Sequence, residues 1–231
     1  MSQTVYTGRD NLDVMSEAVN YNRFLVRLVT DAMPITGKIL DFGAGVGTFD
    51  DPIRETGRDV ECVEIDPQMI GTLKEHGYTV WNNLANVPDD TYTGIYSLNV
   101  LEHIEADAVV TQTLLGRLKP GGKLLIYVPA FPVLFSTMDR KVGHFRRYRK
   151  SPLVTSLQQL GYSVRVARYV DTLGFLASLA YKLVGRSDGG INRSALIFFD
   201  RWLFPLNRLL DPIFSRWFGK NLLIIAEKPR A

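Results

Sequence analysis

Ile39-Leu40-Asp41-Phe42-Gly43-Ala44-Gly45-Val46-Gly47-Thr48 decides how this chain is read. Residues with strand character run into three glycines spaced two apart, and a helix is expected to follow. Glycine permits a sharp turn there and lets the backbone approach a ligand closely. The N-terminus of the following helix favours a negative group. The spacing is GxGxG, whereas a dinucleotide-binding turn wants GxGxxG or GxGxxA, and Thr48 stands at its last position. A nicotinamide dehydrogenase is therefore disfavoured. Asp41 closes the strand two residues before the first glycine. Glu64 ends the next strand about twenty residues on, where a carboxylate accepts ribose hydroxyls and repels a 2′-phosphate.

The flanking sequence supplies the rest of an alternating pattern. Leu12, Met15, Val19, Leu25, Leu28 and Val29 recur at helical spacing, predicting a helix over Asn11–Met33 that Pro34 and Gly37 end. Strands are predicted over Lys38–Phe42, Asp59–Ile65, Tyr78–Trp81, Gly94–Leu98, Lys123–Val128, Tyr162–Ala167 and Asn221–Ala226. Helices fall over Gln68–His76, from about Ala106 to Leu118, and after Ser151-Pro152, read as N-cap and first helical residue, with Gly161 past the end. Lys119-Pro120-Gly121-Gly122 reads as a turn. Such alternation predicts an α/β fold: a Rossmann-like, doubly wound, mostly parallel seven-stranded sheet. Residues 171–220 are too helical and apolar for a connection and read as a helical cap inserted before the last strand. Pro205 and Pro212 are expected to break it into short helices. The expected organisation is one domain over 1–231: an N-terminal helical segment (1–35), a cofactor-binding core (36–170), the cap (171–220) and the last strand (221–228).

Composition narrows the classes. Of 231 residues, 46% are hydrophobic and 22% charged, which suits a packed core rather than a disordered chain. The single cysteine, Cys62, excludes an intramolecular disulfide framework and a multi-cysteine zinc site. With only His76, His103 and His144, no metal centre is expected. Met1–Thr7 lacks a signal-peptide pattern and no apolar run has spanning length, so a cytoplasmic protein is expected. Residues 1–135 carry 10 Lys+Arg against 18 Asp+Glu and residues 136–231 carry 17 against 6, a polarity that speaks to partners rather than fold.

Ile39 to Gly47, Glu64, Tyr96-Ser97-Leu98-Asn99-Val100-Leu101-Glu102-His103-Ile104 and Leu118-Lys119-Pro120-Gly121-Gly122-Lys123-Leu124 together resemble, in order, the motifs of class I S-adenosylmethionine-dependent methyltransferases. Ala18-Val19-Asn20-Tyr21-Asn22-Arg23 is similar to a small-molecule subgroup, and the likeness spans about residues 10 to 170. It implies S-adenosyl-L-methionine as cofactor and S-adenosyl-L-homocysteine as product. It places the Gly43-Ala44-Gly45 backbone and the loop amides against the cofactor and makes Asp41 an orienting residue. Glu64 would hold the ribose, and Ile65 or Met69 the adenine. Asn83 and Leu84 stand where the family usually has an Asp for the adenine amine, and Asn99 and Tyr21 face the methionine end.

Methyl transfer from a sulfonium is an in-line displacement in which positioning does much of the work. His144 is the candidate general base, in the loop after the fifth strand where open α/β sheets bind ligands. It also fits a structural role, positioning the loop. His103, Arg146, Arg147 and Tyr148 are candidates for the acceptor, since arginine forks suit anions. The same arginines also read as a solvated face or as partners of the acidic front half. The expected acceptor is a small molecule, anionic or apolar, methylated at O or N. A lipid-linked or glycan acceptor at a membrane surface, a homodimer through the cap, and a cofactor-binding regulator without turnover are the alternatives. Nucleic acid is disfavoured, because Asn99-Val100-Leu101-Glu102 lacks the Pro-Pro-aromatic run that holds a flipped base.

Overall fold

The computed structural model describes residues 14–184, 190 and 192–230. The expected helix start at Asn11 and Leu12 and the Met1–Thr7 terminus lie outside them. Seven strands form one sheet in the order β3-β2-β1-β4-β5-β7-β6: β1 (Lys38–Phe42), β2 (Asp59–Val63), β3 (Val80–Trp81), β4 (Tyr92–Leu98), β5 (Leu118–Pro129), β6 (Ser163–Val170) and β7 (Asn221–Glu227). β7 alone runs antiparallel, lying between β5 and β6. The helices are α1 (Val19–Ala32), α2 (Asp50–Arg54), α3 (Pro67–Glu75), α4 (Asp107–Arg117), α5 (Thr137–Lys141), α6 (Lys150–Gln159), α7 (Thr172–Val184), α8 (Arg193–Phe198) and α9 (Asn207–Phe214).

Side-chain alternation along the strands sorts the core into two layers. Ile39, Cys62, Tyr96, Leu125 and Tyr127 pack with Leu25 and Val29 of α1 and Leu73 of α3. Their strand neighbours Leu40, Val63, Leu124 and Ile126 pack on the other face with Leu114 of α4 and Leu157 of α6. A sheet buried on both faces reads as apolar runs rather than as alternation, which is why KLLIYV and NLLIIA announce their strands so plainly.

Several local expectations are corrected. The first helix breaks at Ala18, which cannot cap with its side chain. The opening N–H groups of Asn20 and Tyr21 donate instead to Asp200 at 3.0 and 2.8 Å, a cap delivered from the insertion. Lys119–Gly122 is not a free turn but an irregular stretch inside β5, where the register against β4 shifts and Gly121 takes φ 79°. Ser151 is not the cap of α6. The helix starts two residues earlier, at Lys150, whose N–H the Tyr169 hydroxyl accepts at 3.1 Å. Pro152 then falls at the third helical position, where its missing N–H removes no helix bond. Gly161 does close α6 (φ 97°), with N–H bonds from Gly161 to Gln158 and from Tyr162 to Leu157. Pro212 lies inside α9 rather than ending it. It is exposed, so the carbonyl it leaves unbonded is solvated.

Candidate functional site

Gly43, Gly45 and Gly47 all have positive φ (90°, 61°, 85°), so the loop after β1 follows a path that other residues adopt only with strain. A Cβ on Gly43 would stand 2.4 Å from Val100 Cγ2, whereas on Gly45 it would meet nothing within 4 Å. Gly43 is thus required by packing and Gly45 borders open space. The Gly43 and Ala44 N–H groups donate to the Val63 carbonyl at 2.9 and 3.2 Å. Gly45 N–H donates to Glu64 Oε2 at 2.8 Å, while Glu64 Oε1 accepts from Ile65 and Asp66 at 2.7 and 2.9 Å. These three loop amides, expected to face a ligand carboxylate, are already engaged. What the loop offers is close approach. Glu64 is both the latch of the loop and, with a lone pair left on Oε2, an acceptor for a sugar hydroxyl.

Beside it Ile65 is 77% exposed and presents a bare apolar face, whereas Met69 is buried. Of the two expected adenine walls, Ile65 has the surface to serve. Leu84 is half-buried. Asn83 is exposed, but its Oδ1 accepts the Ala85 N–H at 2.9 Å. The carbonyl expected for an adenine amine instead caps the turn Leu84–Asn86, the habitual local bond of an asparagine.

Beneath the loop, Asp41 is buried facing Asp50, whose Oδ1 accepts the Tyr96 hydroxyl. Burial, reinforced by the Asp50 charge, pushes the Asp41 carboxyl well above the usual carboxylate range, and burial also raises Asp50. The facing Asp41 and Asp50 carboxyls tie the end of β1 to the first turn of α2, and their closeness favours the protonated form. Asp41 therefore orients the loop from below. Asp50 was missed from sequence, because the Asp50-Asp51 pair at a helix start reads as capping charge.

The carboxyl edge of the sheet carries a second signal. Three non-glycine residues, Asn99 after β4, Phe131 after β5 and Asp171 after β6, take positive φ of 55°, 60° and 64°. Backbone strain of this kind, about 1–3 kcal/mol each, gathers at functional sites. Asn99 is held by its N–H to the Tyr127 carbonyl at 2.8 Å. The buried Tyr21 hydroxyl faces Tyr127 and Asn99, and burial raises its pKa to about 12. Lys220, at the head of β7, lies 5.8 Å over the Tyr21 ring. Burial lowers its pKa against the opposing charge of Asp171. It too escaped the sequence reading, since nothing local distinguishes it from the other cap cations.

Further along this edge lies the densest cluster of titratable groups. His144 Nδ1 is 2.8 Å from Asp139 Oδ1 and its Nε2 is 3.9 Å from Glu102 Oε1. The His103 and His144 rings meet edge to face, 4.6 Å between centroids. Asp139 is fully buried and accepts from Ser136 N–H at 2.8 Å and from Arg147 Nε and Nη2 at 2.8 and 3.0 Å. Burial acts to raise its carboxyl, but the bonds from His144 and Arg147 outweigh it and hold the group far below the usual range. Burial pushes Glu102 up to about 8 and His103 down to about 4.

Three of the residues expected to meet the acceptor make bonds within the protein here. Arg147 is buried, with its fork closed on Asp139. Arg146 reaches back to Asp107 Oδ1 at 2.9 Å and to the Glu105 carbonyl at 2.7 Å. The Tyr148 hydroxyl donates to Asp107 Oδ2 at 2.7 Å. These side chains fasten the loop to the start of α4 and to α5; Arg147 is spent on that task, whereas the half-exposed Arg146 keeps N–H groups beyond its two bonds. His103 and His144 remain at the cluster.

Residues 17–166 match the profile of a family described as a methyltransferase domain. A ubiquinone biosynthesis O-methyltransferase of Xylella fastidiosa is 24% identical over 129 residues, 51% of this chain and 48% of that protein. Its counterpart from Paraburkholderia xenovorans is 29% identical over 122 residues, 48% of this chain and 49% of that protein. The chain thus spans about half the length of the curated relatives it matches. Among solved structures, an S-adenosylmethionine-dependent methyltransferase from Archaeoglobus fulgidus superposes with a TM-score of 0.61 at 17% identity, covering 90% of this chain and 94% of that one.

Proposed function

Because the chain belongs to the methyltransferase-domain family and has S-adenosylmethionine as its cofactor, we propose that it places the cofactor's methyl group on a hydroxyl oxygen of a small molecule. The residues present fit that cofactor. Gly45 leaves a cradle that any Cβ would enter, Glu64 keeps an acceptor for the ribose, and Ile65 has an uncovered apolar face. Asn99 and Tyr21 line the methionine end. When bound, the cofactor supplies a methyl group on a positively charged sulfur and is left as the neutral thioether S-adenosyl-L-homocysteine.

The chain's own part is to hold the acceptor oxygen in line and to ease the loss of its proton. The observation that carries the reading is the Asp139-held His144. Its Nδ1 is fixed on Asp139, which leaves Nε2, 3.9 Å from Glu102 Oε1, as the nitrogen free for the chemistry. The new bond is C–O, the broken bonds are C–S and O–H, and the acceptor's proton passes to water. The names of the relatives support oxygen over nitrogen. The test is transfer of labelled methyl to a panel of phenolic and alcoholic acceptors, beside matched amines. His144→Ala should lower turnover at least about tenfold while leaving S-adenosylhomocysteine affinity unchanged. Transfer to amines alone, or full turnover in His144→Ala, refutes it.

One observation favours a membrane-borne acceptor as a second reading. The acids Asp200 and Asp211 are buried as internal bond acceptors, while Trp202, Leu209, Ile213 and Trp217 are 58–70% exposed among Arg201, Arg208 and Arg216. An apolar face ringed by cations suits an anionic bilayer. No helix among the described residues is long and apolar enough to cross one. Co-sedimentation with phosphatidylglycerol vesicles that is lost on changing the three arginines to Glu supports this reading, and indifference to anionic lipid removes it.

A further inference from the structure

We propose that Glu102, His103 and His144 form a binding site for a divalent transition-metal ion, with Zn2+ as the probe. One donor atom from each lies within 4.8 Å of the others. Bonds of about 2.0–2.2 Å ask them to draw in by roughly an ångström, within reach of side-chain rotation. Two imidazoles and a carboxylate suit Zn2+, Fe2+, Co2+ or Mn2+ better than Mg2+ or Ca2+.

Two independent features separate this cluster from a chance meeting of polar groups. Glu102 is 0% exposed, and neither carboxylate oxygen accepts a hydrogen bond from another of the described residues. A carboxylate stripped of both water and donors must take a proton or a cation, and its Oε1 lies 3.9 Å from His144 Nε2. His144, for its part, is bonded at Nδ1 to Asp139, which Arg147 and Ser136 immobilise. A carboxylate behind the ring is the usual backing of a metal-bound histidine, fixing its orientation and strengthening the free nitrogen as a donor. His103 is steadied by its bonds to the backbone at Val142 and Gly143. Three histidines scattered through a sequence announce no metal centre. The fold brings two of them, 41 positions apart, onto one carboxylate.

The assignment deepens the proposed function and rests on it for the acceptor alone. Three protein ligands leave a coordination position open. An acceptor hydroxyl bound there is acidified by the ion and gives its proton to water, and its lone pair then forms the C–O bond. His144 acts on the acceptor through the ion.

Chelator-washed full-length protein is titrated with Zn2+ against a chromogenic chelator, and separately with Co2+ while its visible absorption is followed. One equivalent should bind, with Co2+ bands of a four- or five-coordinate nitrogen–oxygen site. Glu102→Gln and His144→Ala should each weaken Zn2+ by about 100-fold or more, and Asp139→Asn by about 10- to 100-fold, with His76→Ala unaffected. Zn2+ binding that survives Glu102→Gln and His144→Ala, or octahedral Co2+ bands in the wild type, overturns the site. S-adenosylhomocysteine calorimetry on the same samples checks that each variant is folded. Failure of the wild type there sinks the transferase reading without touching the metal result.

Discussion

Replacing Arg147 with Met separates a structural arginine from a substrate-binding one. Met keeps most of the apolar volume and removes the fork that closes on Asp139 through Nε and Nη2. Asp139 is fully buried and retains Ser136 and His144, so it is left under-compensated rather than bare. Removing one partner of a buried ion pair typically costs about 3–5 kcal/mol. The remaining bonds put this case at the lower end, about 3 kcal/mol. For a chain of this size that is a fall in Tm of roughly 6–12 °C. Asp139→Asn/Arg147→Met, which removes the stranded charge as well, should be more stable than Arg147→Met alone. Urea denaturation of the wild type, both single variants and the double variant measures this coupling. An Arg147→Met protein within 1 kcal/mol of wild type that has lost only acceptor affinity would refute the argument and return Arg147 to the acceptor.

Two further outcomes are expected. Asp41 holds its proton to higher pH in the folded state than in the unfolded chain, where it is lost at about pH 4, so folding takes up a proton between the two values. Its contribution is complete at low pH and is lost as pH rises through the raised folded value. Asp41→Asn, which mimics the neutral form, should lose less stability than wild type between pH 6 and pH 9 in paired urea titrations. Parallel losses would dismiss the raised carboxyl. Asp200→Ala leaves the Asn20 and Tyr21 N–H groups without an acceptor, at about 1–3 kcal/mol for each group stranded. It should lower stability by about 2–4 kcal/mol and speed amide exchange at the start of α1. Unchanged exchange there would show that the insertion does not hold the helix.

The parts of this molecule legible in its sequence are those whose reasons are local. GxGxG after a β-strand run, an acid at the end of the next strand and fully apolar strands each depend on near neighbours, and the sheet and the loop followed from them. Arg146 and Arg147 were ambiguous because a basic run looks the same whether it faces water or closes on acids that the fold brings up. Asp107 and Asp139 decide it, and only the folded loop brings them there. Ser151 lost its capping place to a hydroxyl 18 positions away. Glu102 and Asp50 gave no signal, since an acid beside a helix start is ordinary until its surroundings are known. Asn99, Phe131 and Asp171 share a backbone conformation that no side-chain pattern advertises.

The placement of β7 has a consequence for how the molecule is made. It is the last strand in the chain, yet it sits between β5 and β6. On the ribosome, β6 emerges with no neighbour to pair with, and the outer edge of β5 stays bare until Asn221 and its successors appear about fifty residues later. Throughout that interval the nascent chain carries two open strand edges, the usual seeds of mispairing between chains. The insertion, synthesised within it, already holds Asp211 ready to accept the Asp171 and Thr172 N–H groups at 3.0 and 2.9 Å. Its early docking would shelter the gap until the final strand slides in, making residues 171–220 a scaffold for assembly as well as part of the finished protein.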